Sequence, residues 1–182
     1  MRFRPPTREE MSEAQLRVVE AAIAGKRGTA PAPLLAWLDS PELGERAQRL
    51  GEFVRYDTTL PPALSELAIL VTARFWTSHY EWHAHKREGL KAGIDPTVID
   101  AIARRKPPKL QDPKAQLVYD FSMALHETHA VPAPLFAAAQ KELGRQGVVE
   151  LIGILGYYTL ISMTLNAFEI GLPDGAAPEL QP

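Results

Sequence analysis

The sequence predicts an all-α protein: one helical domain of about eight helices over residues 1–173, then a disordered tail over 174–182. Three observations carry this reading. Helix-start signals, a capping side chain or a proline at the first helical position, recur along the chain. No stretch alternates apolar and polar residues as a half-buried strand does. The 16 prolines mostly fall between helical stretches, where they punctuate rather than break them.

The elements follow in order. Ser12 with Gln15 has the capping-box spacing and opens a helix to about Ala24. GKRGTAPAP, 25–33, is a loop, and a short helix over 34–38 follows. Ser40-Pro41 pairs an N-cap with a proline at the first helical position and opens a helix to about Tyr56. Pro61-Pro62 opens the next, to about Trp76, and Ser78 caps another that stops at Gly93. Asp95-Pro96 and Asp112-Pro113 repeat the cap-then-proline signal, with KPPKL, 106–110, as the loop between their helices. A helix over 134–143 precedes a long apolar one over 146–169. That last helix is apolar nearly all round and needs cover on more than one side, which makes a second copy of the chain an expected neighbour.

Composition narrows the function classes. Of 182 residues, 46% are hydrophobic and 23% charged, with net charge −2, as in an ordinary soluble domain. The basic runs Lys86-Arg87 and Arg104-Arg105-Lys106 are short and lack interleaved aromatics, which argues against a nucleic-acid partner. With no cysteine there is no disulfide, zinc–thiolate site or thiol catalysis. The N-terminus, MRFRPPTREEMSEAQ, has no apolar signal segment, and a cytoplasmic location is expected. The stretch over 148–172 is apolar enough to raise a membrane span. Glu150, Asn166 and Glu169 within it favour a buried core or interface helix, with Asn166 and Glu169 bonded inside a subunit interface.

The chemistry concentrates in SHYEWHAH, 78–85. Ser78 and Glu81 have capping-box spacing, and Tyr80 and Trp82 are of types that usually pack. A helix also puts Ser78, Glu81 and His85 on one face, with Glu81 and His85 one turn apart. A carboxylate beside an imidazole raises its pKa and orients its ring, which suits acid/base work. Glu66, on the preceding helix, can reach the same pocket if the two helices form a hairpin. Metal is the competing use. His79 and His83 have the spacing of a helical zinc pair, but Glu81 lies two residues after the first histidine, where the zincin order puts it one residue after. No third ligand stands at a fixed spacing, so no metal is expected. His126 and His129, near a helix end, are expected to be structural.

The segment ELAILVTARFWTSHYEWHAHKREGLKAGIDPTVIDAI, 66–102, resembles the core motif of the carboxymuconolactone decarboxylase family, which includes the alkyl hydroperoxidase D-like proteins. The flanking LGEFVRYDTTLPPALSELAIL and GVVELIGILGYYTLISMTLNAFEIGLP extend the likeness over about residues 30–173. In the hydroperoxidase branch the motif is a glutamate, then C-x-x-C, then a histidine. Laid on this sequence, these fall on Glu66, Ser78, Glu81 and His85. Both thiols are therefore replaced, and a serine and a carboxylate cannot run dithiol peroxide chemistry. The resemblance implies an alkyl hydroperoxidase D-like fold, a homotrimer or homohexamer, and a lyase needing no cofactor. Its substrate would be a small carboxylated lactone such as γ-carboxymuconolactone, from aromatic-compound catabolism. In that reading His85 is the proton donor, supported by Glu66, Glu81 and Ser78, while Tyr80, Trp82, Arg74 and Arg55 are candidate substrate contacts. A related lactone hydrolase or isomerase, or a protein that kept the fold without catalysis, are the alternatives.

Overall fold

The computed structural model describes residues 2–181, which form eight α-helices and no strand. Helix α1 is Glu13–Ala24, α2 Ala32–Ala36, α3 Pro41–Tyr56, α4 Pro62–Phe75, α5 His79–Lys91, α6 Pro96–Ala103, α7 Pro113–Thr128 and α8 Ala133–Ala167. The Ser12–Gln15 capping box forms in both directions, at 2.8 and 3.3 Å. Asp95 and Asp112 each accept the backbone N–H two residues on, at 2.7 and 2.9 Å. Ser40 and Ser78 hold N-cap positions without any side-chain cap bond. The two helices expected over 134–143 and 146–169 run as α8, interrupted at Gly144, whose φ of 72° and ψ of 169° break the helical path. Glycine tolerates that backbone without steric cost.

The centre of the bundle is α4. Every residue from Leu64 to Arg74 is buried, and α5, α6, α7 and α8 pack around it. An all-round apolar helix has no solvent face, so its polar residues must be answered by neighbours. Thr72 donates to the Ala68 carbonyl at 2.9 Å and meets His126 Nε2 at 2.9 Å. His126 also stacks on Phe75, 4.7 Å between centroids, and burial pushes its pKa down. It is a structural histidine.

Helix α8 closes the bundle. Trp37 Nε1 donates to Thr164 Oγ1 at 2.9 Å, and Trp76 Nε1 to Thr159 Oγ1 at 3.3 Å. Glu150 accepts from the Thr59 N–H and hydroxyl, at 2.7 and 2.6 Å, and from Gln146 at 2.8 Å. That satisfies a buried carboxylate in an apolar stretch; burial alone would raise its pKa, and these donors hold it below the usual range. Asn166 donates to the Trp76 carbonyl at 2.8 Å, and Glu169 pairs with Arg2 at 3.0 Å. These bonds lie within one chain. By length and composition α8 could cross a membrane, with a mean hydropathy of 1.7 in its most apolar window, and 61% of that window is buried inside the fold.

Of the tail over 174–182, Pro182 lies outside the described residues. Residues 176–181 have no regular structure, yet Leu180 is buried, Glu179 pairs with Lys86, and Arg74 donates to the Gln181 carbonyl at 2.7 Å. An apolar side chain between two polar anchors docks a segment whose composition alone reads as loose.

Gly51 on α3 shows how tightly the helices meet. A Cβ there would stand 2.1 Å from the Tyr157 hydroxyl oxygen and 2.9 Å from Arg27 Nη2. Gly51→Ala is expected to destabilise the protein by about 1–3 kcal/mol, the usual cost of overpacking. Chemical denaturation of wild type and variant checks this.

Candidate active site

Two helices and one ion-pair cluster make the site. Glu66 comes from the first turns of α4, and Glu81 and His85 come from adjacent turns of α5. The α4–α5 turn brings them together. There the chain reverses at Thr77, a β-branched residue held at φ 47°, with the Ser78 N–H bonded to the Ala73 carbonyl at 2.8 Å. His85 Nδ1 lies 2.7 Å from Glu66 Oε2, and Nε2 lies 3.3 Å from Glu81 Oε2. Both ring nitrogens thus face carboxylates. Burial works against the imidazolium, but the charge and hydrogen bond of Glu66, then those of Glu81, outweigh it and push His85 up to about 9. At neutral pH the ring is a cation with both N–H groups directed at acceptors.

The expected Ser78–Glu81 capping box does not form. Glu81 turns to His85 instead, and the Ser78 hydroxyl is buried without a hydrogen-bond partner. A neighbouring charge outcompetes a backbone N–H for the carboxylate.

The sequence reading missed a third wall. Tyr158 of α8 stands edge-on to His85, 4.9 Å between centroids, and Tyr157 packs edge-on to Tyr158 at 5.4 Å. The Tyr158 hydroxyl is buried and unpartnered; burial, then the charge of Glu81, raises its pKa well above the phenol range. Tyr157 is pushed up to about 12, chiefly by burial, with Arg27 opposing. Both tyrosines sit among apolar residues of the long helix, and Arg27 lies in the loop after α1. No local spacing ties any of them to residue 85, so only the fold could assemble this wall.

The remaining candidates divide. Arg55 shares with Glu66 a cavity of about 540 Å³, which Tyr56, Glu88 and Lys91 also line. Burial lowers the Arg55 pKa, but its neighbours Tyr158, Tyr56, Glu66 and Glu88 more than compensate, and the net shift is upward. Arg74 and Trp82 line a different cavity of about 560 Å³, on another face of α5. Arg74 lies eight residues beyond Glu66, about 12 Å along the helix axis. The structure therefore does not bring Arg74 to the Glu66–His85 pair. Tyr80 is half-buried near the Ala32 backbone. His79 and His83 join no metal-holding group: among the described residues, no cluster of three or more His, Asp or Glu could hold an ion.

Residues 41–118 match the family model described as carboxymuconolactone decarboxylase family. The match runs from α3 into α7 and contains Glu66, Ser78, Glu81 and His85, whereas the two tyrosines and the docked tail lie outside it. No curated protein matches the chain.

The His85 pKa links to stability. Its folded value of about 9 lies above the ordinary 6.5, so this contribution is fully present below pH 6.5 and is lost as pH rises through 9. Calorimetry across that window is expected to show the melting temperature of wild type falling more steeply than that of His85→Asn. Parallel curves would remove the buried imidazolium from the account. Glu66→Gln is expected to flatten the curve more than Glu81→Gln, because its contact is the shorter.

Proposed function

We propose that this chain, whose residues 41–118 match the carboxymuconolactone decarboxylase family model, is a lyase acting on a small carboxylated lactone, with γ-carboxymuconolactone the first substrate to try. The observation that supports it most is a buried histidine whose two ring nitrogens each face a carboxylate, one of which lines a cavity with Arg55 and Lys91. Loss of CO2 leaves an electron pair that flows into the conjugated lactone and builds negative charge on its carbonyl oxygen. The site must stabilise that oxygen and return a proton to carbon. Arg55 and Lys91 suit the anionic groups. Glu66 is the member of the cluster on the cavity wall, with His85 directly behind it.

The proton route follows. His85 passes its Nδ1 proton to the Glu66 carboxylate, Glu66 delivers that proton to the substrate carbon left by CO2, and solvent recharges His85 afterwards. Glu81 holds the other ring nitrogen and keeps the imidazole charged. No step asks for a bound cofactor, and without cysteine the chain has no thiol to attack a peroxide.

One observation favours a second reading. His85 is only 2% exposed, so the cluster can equally serve as a buried ion network in a non-catalytic protein. Turnover separates the two. As an enzyme, the protein should decarboxylate γ-carboxymuconolactone, followed by ultraviolet absorbance and CO2 release. His85→Asn should then lower kcat by about 10²- to 10⁴-fold while remaining folded. Activity should decline as pH rises through about 9, as the imidazolium is lost. An unchanged kcat in a folded His85→Asn would refute the proton route.

Self-association belongs to the same proposal. Val149, Ile152, Leu160 and Met163 form one exposed apolar stripe along α8, and beside Gly156 the surface is open. A patch of this kind on a soluble chain marks a contact surface. We read it as the face that joins copies into a trimer or hexamer. Ile152→Glu is expected to shift the light-scattering mass of the eluted protein toward the 20.1 kDa of one chain.

A further inference from the structure

The 560 Å³ cavity on the other face of α5 has a chemistry of its own. Arg74, Lys86 and Arg105 bring cations to it, and Glu179 and Gln181 of the tail form part of its wall. Arg104 lines it too, but is paired with Asp100 at 2.9 Å. Arg74 is 4% exposed, and among the described residues no carboxylate meets it. Its Nη1 donates to Thr77 Oγ1 at 2.9 Å, its Nη2 to the Gln181 carbonyl at 2.7 Å, and its Nε has no partner. Arg105 Nη2 shares the same Thr77 hydroxyl at 3.2 Å. The buried Arg74 guanidinium and the exposed Arg105 guanidinium thus converge on one neutral oxygen, and the buried charge of Arg74 is costly unless an anion answers it. Trp82, 1% exposed, lines the same cavity with an unpartnered indole N–H.

The tail shows what fits. It puts a carboxylate, Glu179, on Lys86 and a carbonyl, Gln181, on Arg74, with Leu180 buried between them. Two residues of extended chain put the α-carbons that carry these acceptors about 7 Å apart. A ligand with a carboxylate at each end would satisfy both points and replace the neutral carbonyl on Arg74 with a charged, bidentate partner. The Lys86–Glu179 pair it must displace is partly exposed, at 36% and 44%, and such pairs hold weakly.

We infer that this cavity is a binding site for a small dicarboxylate, and that residues 179–181, on its wall, hold its two anchor points Lys86 and Arg74 as an internal competitor. The site is separate from the Glu66 cavity and does not depend on the reaction proposed there.

Calorimetric titration of the full chain with succinate, glutarate and adipate, and with acetate as the single-carboxylate control, tests this. At least one diacid should bind saturably. Glu179→Gln should bind it roughly tenfold tighter, and Lys86→Gln roughly tenfold weaker, each step equal to about 1.4 kcal/mol. Both changes are at the surface and should leave the fold intact. Three results would overturn the inference: no saturable diacid binding even to Glu179→Gln, equal affinity in wild type and Glu179→Gln, or acetate binding as tightly as the diacids.

Discussion

Burying α4 on every side is the constraint from which the rest follows. A helix with no solvent face saves apolar surface from water but strands each polar group it carries. This one carries Glu66, Thr72 and Arg74 in its buried stretch. Each is answered by a different part of the chain: Glu66 by His85 of α5, Thr72 by His126 of α7, Arg74 by Thr77 and the tail. The polar contacts that give the bundle its chemistry are the same ones that let α4 be central.

The Glu66–His85–Glu81 cluster shows the balance of effects. Desolvation alone would strip the proton from a wholly buried imidazole. Two carboxylates within reach reverse that, because in a low-dielectric interior a nearby opposite charge outweighs the lost hydration. The cluster keeps one excess negative charge, and Arg55 stands close enough to feel Glu66. Tyr158 seals the third side with an aromatic edge and an unused hydroxyl. The result is a proton held behind a carboxylate that faces a cavity.

Helix starts were legible in the sequence because proline and capping residues act locally: Ser12, Asp95 and Asp112 cap as their spacing implies. The Glu81–His85 pair was legible for the same reason, being one helical turn apart. Glu66 followed from the family resemblance and the hairpin. Other features needed the fold. Tyr158 reaches the cluster from a distant segment, with Tyr157 behind it and Arg27 beside Tyr157. Whether Glu81 caps its helix or meets His85 is a competition between partners that only packing decides. Arg74 has the right charge but lies two helical turns too far along α4, and the tail docks through one leucine and two polar contacts that composition cannot rank.

The central claim is that His85 is an imidazolium at neutral pH. Nitrogen-15 NMR of the folded protein, with His85→Asn used to assign the resonance, reads it directly. The account predicts both ring nitrogens protonated at pH 7 and a titration midpoint near 9. A neutral ring at pH 7, with one bare nitrogen and a midpoint at or below the ordinary 6.5, would contradict it and remove the proton store on which the proposed chemistry depends.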